Sequence, residues 1–181
     1  MHADDFDDSV RASMGIAQYS STAKRFREKT FFTDSLSINP KKETTMPSGN
    51  DIQVTDASFY HEDEDEWGGK TALGNTLHYS DDPEIPTSCA TNWGKFPPGT
   101  LLRVNGKKYI VEDYGSFVND YPDRVDRYVP KNKYTNELAK NPSVEVLKWG
   151  DFGLAVDMLR TRNPQDHPHI AMMLQQAEAR L

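Results

Sequence analysis

The patterned apolar positions of this chain lie after Asn50 and fall into short runs. Residues 54–60 are rich in β-branched and aromatic side chains and read as a strand. Residues 100–104 and 107–112 are two more, and they flank Asn105-Gly106. Both of these turn residues tolerate positive φ, so the pattern predicts a hairpin with a two-residue turn. Pro97-Pro98-Gly99 fixes the approach to that hairpin. Residues 124–129 and 144–149 complete the predicted strands. Short strands separated by Gly and Pro turns point to a closed barrel rather than a βαβ sheet. The period then changes. Leu154, Met158 and Leu159 share one helical face, the pattern breaks over 164–168, and Ile170, Met173, Leu174 and Ala177 follow at helical spacing. This Met and Leu stripe reads as packing against the barrel.

The first fifty residues are mixed and polar, and their pattern is weak. A short helix around 23–29 is a weak pattern, and 39–50, with two prolines and a glycine, reads as a linker. Three parts are therefore expected: a polar extension and linker over 1–50, a β-barrel domain over 51–152, and C-terminal helices over 153–181.

Composition narrows the partners. With 181 residues the chain suffices for one domain of ordinary size plus extensions. Its net charge of −7 disfavours nucleic acid, whose phosphates need a basic surface, and disfavours adsorption to anionic membranes. A neutral or amphoteric substrate such as a glycan is compatible. Cys89 is the only cysteine, which excludes an intrachain disulfide and a cysteine-based zinc site. No apolar run approaches the ~20 residues of a membrane span, and the N-terminus lacks the ~7–15-residue apolar segment of a signal peptide. The chain is thus expected either to be cytoplasmic or to have lost an export signal. No motif calls for a metal or cofactor. The acidic run 62–66 reads as a solvated loop rather than a cation site with His61, because it lacks ligand spacing.

The candidate chemistry lies in Val111-Glu112-Asp113-Tyr114-Gly115-Ser116 and Val125-Asp126-Arg127-Tyr128. Each aspartate lies in or at the end of a predicted strand, where a carboxylate can be held rigidly at a cleft. Two such groups brought close repel, so one stays protonated. A protonated carboxylic acid near neutral pH is what cleavage of a sugar–sugar bond requires. The competing role for either aspartate is to cap a turn or pair with arginine. Alternation places Val125, Arg127 and Val129 on one face and Asp126 and Tyr128 on the other, so Arg127 needs a carboxylate or a route to water. Gly115 is expected to supply a sharp turn. Tyr60, Trp93, Tyr114 and Tyr121 are candidate sugar-stacking walls, with Tyr114 best placed. Cys89 reads as a small buried residue, and His61 and His78 as surface residues.

Taken in order, several blocks resemble the 3D domain, named for three aspartates, and the wider group containing rare lipoprotein A and the barrel domain of membrane-bound lytic transglycosylase A. Ala57-Ser58-Phe59-Tyr60 resembles the opening strand, and Gly69-Lys70-Thr71-Ala72-Leu73-Gly74 the Thr-Ala-x-Gly segment. Ala90-Thr91-Asn92-Trp93 stands where the first aspartate is usual, and Phe96-Pro97-Pro98-Gly99-Thr100 resembles the Pro-x-Gly-Thr element. Asp113-Tyr114-Gly115 and Val125-Asp126 resemble the second and third aspartate blocks, and Val146-Leu147-Lys148-Trp149-Gly150 the closing strand. The resemblance implies a mainly β fold, a six-stranded double-psi β-barrel with a C-terminal helical extension. It also implies a peptidoglycan lytic transglycosylase acting in the periplasm, at the outer membrane or outside the cell. Asp126 is then the catalytic acid and Asp113 its neighbour, with Asn92, Tyr114, Gly115 and Thr71 binding substrate. Two positions depart from the pattern: Asn92 cannot exchange a proton, and Arg127 replaces an apolar residue.

Two other readings stay open. Asn92 and Arg127 support a module that binds wall glycan without cutting it. Asp113-Tyr114-Gly115-Ser116 also loosely resembles the Asp-Thr-Gly-Ser turn of aspartic proteases, although the tyrosine does not suit that turn and the chain holds no second copy.

Overall fold

The structure is a computed structural model that describes residues 53–64 and 68–181. The expected helix around 23–29 and the linker over 39–50 lie outside the described residues. The described residues group into one unit.

Seven strands are present among the described residues: β1 (Asp56–Tyr60), β2 (Thr87–Ala90), β3 (Leu101–Val104), β4 (Lys107–Asp113), β5 (Arg124–Tyr128), β6 (Ala139–Lys140) and β7 (Val144–Lys148). They form one curled mixed sheet, a half-barrel, in the order β6-β1-β5-β2-β4-β3-β7. Strands β1 and β5 pair in parallel, as do β2 and β4, and β2 joins these two pairs by running antiparallel to β5. The hairpin of β3 and β4 turns at Asn105 and Gly106, whose φ angles of 48° and 86° are the left-handed values that a two-residue turn demands.

The expectation of a six-stranded closed barrel needs correcting. A seventh strand exists, and the edges β6 and β7 do not pair with each other. Strand β6 is two residues long and meets only Asp56 and Ala57, too short to carry the ladder onward. Two helices cover one face of the sheet instead: α1 (Phe152–Arg160) and α2 (Pro168–Glu178). Phe152, Ala155, Val156, Leu159, Ile170, Met173 and Ala177 join Ala57, Cys89, Leu102, Val111 and Val125 in one buried cluster. Each large apolar side chain in it contributes about 1.5–3 kcal/mol of burial. The buried face of α1 is 152, 155, 156 and 159. Leu154, expected on that face, is 41% exposed. The helix starts at Asp151, whose side chain accepts a hydrogen bond from the Leu154 N–H at 3.1 Å, an N-cap of about 1 kcal/mol. Pro168 opens α2 at a position where its missing N–H breaks no helical bond. No described helix is long and apolar enough to cross a membrane.

Candidate functional site

The sheet register assembles a row of four residues. Ser58 on β1 pairs with Asp126 on β5; Asp126 pairs with Ala90 on β2; Ala90 pairs with Asp113 on β4. Registered neighbours share a face, so two aspartates stand on either side of an alanine, with their backbones about 9–10 Å apart across two strand spacings. The Asp113 position depends on a bulge. Cys89 pairs with Val111 but Ala90 pairs with Asp113, so Glu112 is the extra residue. Without that irregularity Glu112 would stand beside Ala90 and Asp113 would alternate to the opposite face.

The two carboxylates are held differently. Asp113 is 5% exposed and collects donors. Its Oδ1 accepts from the N–H groups of Ala72 at 3.0 Å and Tyr114 at 2.9 Å, and its Oδ2 from the Tyr60 hydroxyl at 3.4 Å. Its main-chain carbonyl accepts from the Trp93 indole at 2.9 Å. Asp113 thereby ties the 71–74 turn to the end of β4.

Asp126 sits half-buried on the cleft floor and accepts a hydrogen bond from the Ser58 hydroxyl at 2.8 Å. Burial pushes its carboxyl up to about 6, against the hydrogen bond from Ser58 and the charges of Arg124 and Arg127; the Glu64 carboxylate adds to the rise. Neither arginine is aimed at Asp126. Arg124 forms a two-pronged pair with Asp56, Nε to Oδ1 at 2.5 Å and Nη2 to Oδ2 at 3.4 Å. Arg127 lies on the opposite face, where it donates to the carbonyls of Ser58 and Ala57 at 3.2 Å each and stacks 3.9 Å from the Phe59 ring centroid. Backbone carbonyls and a ring thus satisfy the buried arginine that sequence reading left without a partner.

A cleft of about 660 Å³ opens over this row. Tyr60, Tyr114, Gly115 and Phe117 line it together with Asp113 and Asp126, and Tyr134 and the segment from Thr161 to Ile170 supply further walls. Gly115 is not the sharp turn expected of it. Its φ of −149° is ordinary extended backbone, and the glycine matters because a Cβ there would meet the Phe117 ring at 2.9 Å. Tyr114 packs edge-on against buried Trp93 at 4.8 Å between centroids and lies 6.1 Å from the His169 ring.

Of the residues singled out from sequence, the structure brings Tyr60, Asp113, Tyr114, Gly115 and Asp126 into one cleft. Asn92 and Thr71 do not line it. The Asn92 amide is buried and committed: Oδ1 accepts from the Gly94 N–H at 2.8 Å, and Nδ2 donates to Gln176 of α2 at 2.9 Å. Thr71 is also buried, its hydroxyl accepting from the Asn75 N–H at 3.2 Å. Trp93 is fully buried, whereas Tyr121 is exposed under the Arg124 guanidinium. Burial, reinforced by the charges of Glu112, Asp113 and Asp126, pushes the Cys89 thiol well up. Part of the acidic run has partners: Glu62 accepts from the Lys131 N–H and the Tyr128 hydroxyl, and Asp63 pairs with the Lys131 ammonium. Among the described residues, no three His, Cys, Asp or Glu side chains group as a metal site.

Sequence reading missed Ser58, Glu64, Tyr134, Arg162, His167 and His169. One signal was present for the last two: two of the chain's five histidines fall within three residues of each other. Nothing local marks the others, which the topology brings in from remote segments. No family model matches the sequence, and no curated protein matches it.

Proposed function

We propose that this chain cleaves a glycan, with peptidoglycan strands as substrate and Asp126 as a single acid and base. One observation carries the reading: a carboxyl raised to about 6 on the floor of an open, aromatic-walled cleft. An acid of that strength is protonated in a useful fraction near neutral pH and still donates readily. In the first step Asp126 gives its proton to the glycosidic oxygen as that bond to the anomeric carbon breaks. In the second, the Asp126 carboxylate takes the proton of the same sugar's 6-hydroxyl as that oxygen closes onto the anomeric carbon. The product is a 1,6-anhydro ring, water is not consumed, and Asp126 regains its proton. Ser58 holds the carboxyl in place, and the rings of Tyr114 and Tyr134 offer stacking surfaces for sugars.

The same reading takes the two parallel pairs β1–β5 and β2–β4, joined antiparallel through β5 and β2, as an opened double-psi barrel. Work on wall glycan places the protein in the periplasm, at the outer membrane or outside the cell. The test is mass spectrometry of peptidoglycan after incubation with the protein. A 1,6-anhydro end supports the mechanism, and a reducing end shows that water is the acceptor instead.

A second reading has a specific observation behind it. Asp113 is occupied by the N–H groups of Ala72, in the 71–74 turn, and Tyr114 and by the Tyr60 hydroxyl, leaving Asp126 without a second cleft aspartate available for chemistry. A cleft so arranged can bind glycan without cutting it. Co-sedimentation with peptidoglycan and no soluble product would favour that reading.

A further inference from the structure

We propose that Tyr121 forms an outer binding subsite, which holds a sugar of the same glycan strand beyond the bond that is cut; this rests on the glycan-cleaving reading above. Tyr121 is an aromatic residue that the fold keeps at the surface. It is 47% exposed, and the Arg124 guanidinium lies 3.7 Å from its ring centroid. One face of the ring thus rests on Arg124, and the other meets water. The support is fixed. Arg124 is held by the carboxylate of buried Asp56. Tyr121 opens a turn that closes where the Arg124 N–H donates to the Tyr121 carbonyl at 3.1 Å, and Pro122 stands at the second position, which its ring-locked φ suits. Neighbouring segments pin this turn. The Asn92 amide donates to the Pro122 carbonyl at 3.4 Å, the Thr55 N–H donates to the Asp123 carbonyl at 3.1 Å, and the Asp123 carboxylate pairs with the Lys95 ammonium.

The platform continues the cleft. Arg124 and Asp126 lie two residues apart on β5, so they share a face, and both line the cleft. Arg124 therefore stands one strand repeat of about 7 Å from Asp126. Tyr121 lies over it, one side chain beyond the cleft lining. A glycan that places a bond at Asp126 and runs along β5 toward its start reaches Tyr121 with a more distant sugar. A pyranose ring presents a flat C–H face, with its hydroxyls pointing outward from the rim. Laid on a tyrosine, that face removes apolar surface of both partners from water while the hydroxyls stay solvated. Arg124 is already paired, so the platform offers ring surface rather than charge, which suits a neutral sugar. A ring held flat on a guanidinium is ordered before the ligand arrives, so binding costs little side-chain entropy.

The test uses the full chain and a pair of peptide-free glycan probes, a tetrasaccharide and an octasaccharide, and reads the ratio of their kcat/KM values. Wild type should favour the octasaccharide by about 2–10-fold, the range of one aromatic stacking contact. Tyr121→Ala should bring that ratio close to one, and Tyr121→Trp should keep it. A wild-type ratio near one overturns the proposal. So does a Tyr121→Ala protein that keeps the wild-type ratio, including one that loses activity equally on both probes, because Tyr121 then only steadies Arg124. If Tyr121→Ala does not fold, Tyr121→Leu, which covers Arg124 without a ring, carries the same comparison. If wild type cuts neither probe, the cleavage reading fails. The Kd ratio of the two probes, in wild type and in Tyr121→Ala, then decides the subsite by the same criteria, and binding of neither probe overturns it.

Discussion

Asp113 and Asp126 occupy one register row on either side of Ala90, yet they have opposite surroundings. Asp113 is buried under two main-chain N–H groups and a phenol, and it organises a turn. Asp126 has the Ser58 hydroxyl, opens onto the cleft, and is raised to about 6. The same residue type on the same face thus does structural work at one position and carries a raised carboxyl open to the cleft at the other. What separates them is the supply of donors. The bulge at Glu112 delivers Asp113 to the N–H groups of Ala72 and Tyr114, while Asp126, in the middle of β5, has its neighbouring main-chain groups engaged by the sheet.

The largest expected difference is in chemistry. Asp126→Asn should lower glycan cleavage by about 10²–10⁴-fold, the span that general acid–base groups contribute, with binding to peptidoglycan retained. Anhydro-product release at the wild-type rate would remove Asp126 from its role. Next comes stability. Asp113→Ala strips an acceptor from two N–H groups and should lower unfolding free energy by about 2–6 kcal/mol in a denaturant titration, at roughly 1–3 kcal/mol for each unsatisfied buried group. A loss below about 1 kcal/mol would mean that the 71–74 turn does not depend on it.

Asp126→Asn should do the reverse, and only at high pH. Unfolded, this carboxyl ionises near its ordinary value of 3.8; folded, near 6. Below about pH 3 both states are protonated and the buried acid carries no penalty. Stability is lost as pH rises from about 3 through 6, and the loss is complete above that, at about 2–3 kcal/mol. The Asn variant should therefore be more stable than wild type at pH 8 and equal to it at pH 3. A gain independent of pH would rule out the raised carboxyl as its source. The smallest effect belongs to Glu64→Gln. Removing its charge should lower the Asp126 pKa and shift the high-pH limb of activity downward by a fraction of a unit; an upward shift would contradict the like-charge contact.

Local signals carried the two hairpin strands and three further strand positions, because Asn105-Gly106 and the β-branched runs report backbone preference directly. They also carried Asp113, Tyr114, Gly115 and Asp126 into the cleft. Strand β2 was not legible. Its residues Thr87, Ser88, Cys89 and Ala90 are small and buried on both faces, so they show neither alternation nor bulk. The bulge that aims Asp113 was hidden for the same reason, since it exists only against β2. Ser58 meets Asp126 across 68 residues of chain through a parallel pairing that no local pattern encodes. Asn92 was read for its place in a motif, whereas its buried amide joins the loop after β2 to α2. Leu154 was misplaced because the α1 face is set by Phe152, which precedes the apolar positions used to draw the stripe.

The claim that Asp126 keeps a proton where Asp113 serves as an acceptor is tested most directly by carbon NMR of the side-chain carboxyls in protein labelled at aspartate. The Asp126 signal, assigned by its absence in Asp126→Asn, should titrate with a midpoint near 6. A midpoint at or below about 4, the ordinary aspartate value, would contradict the account.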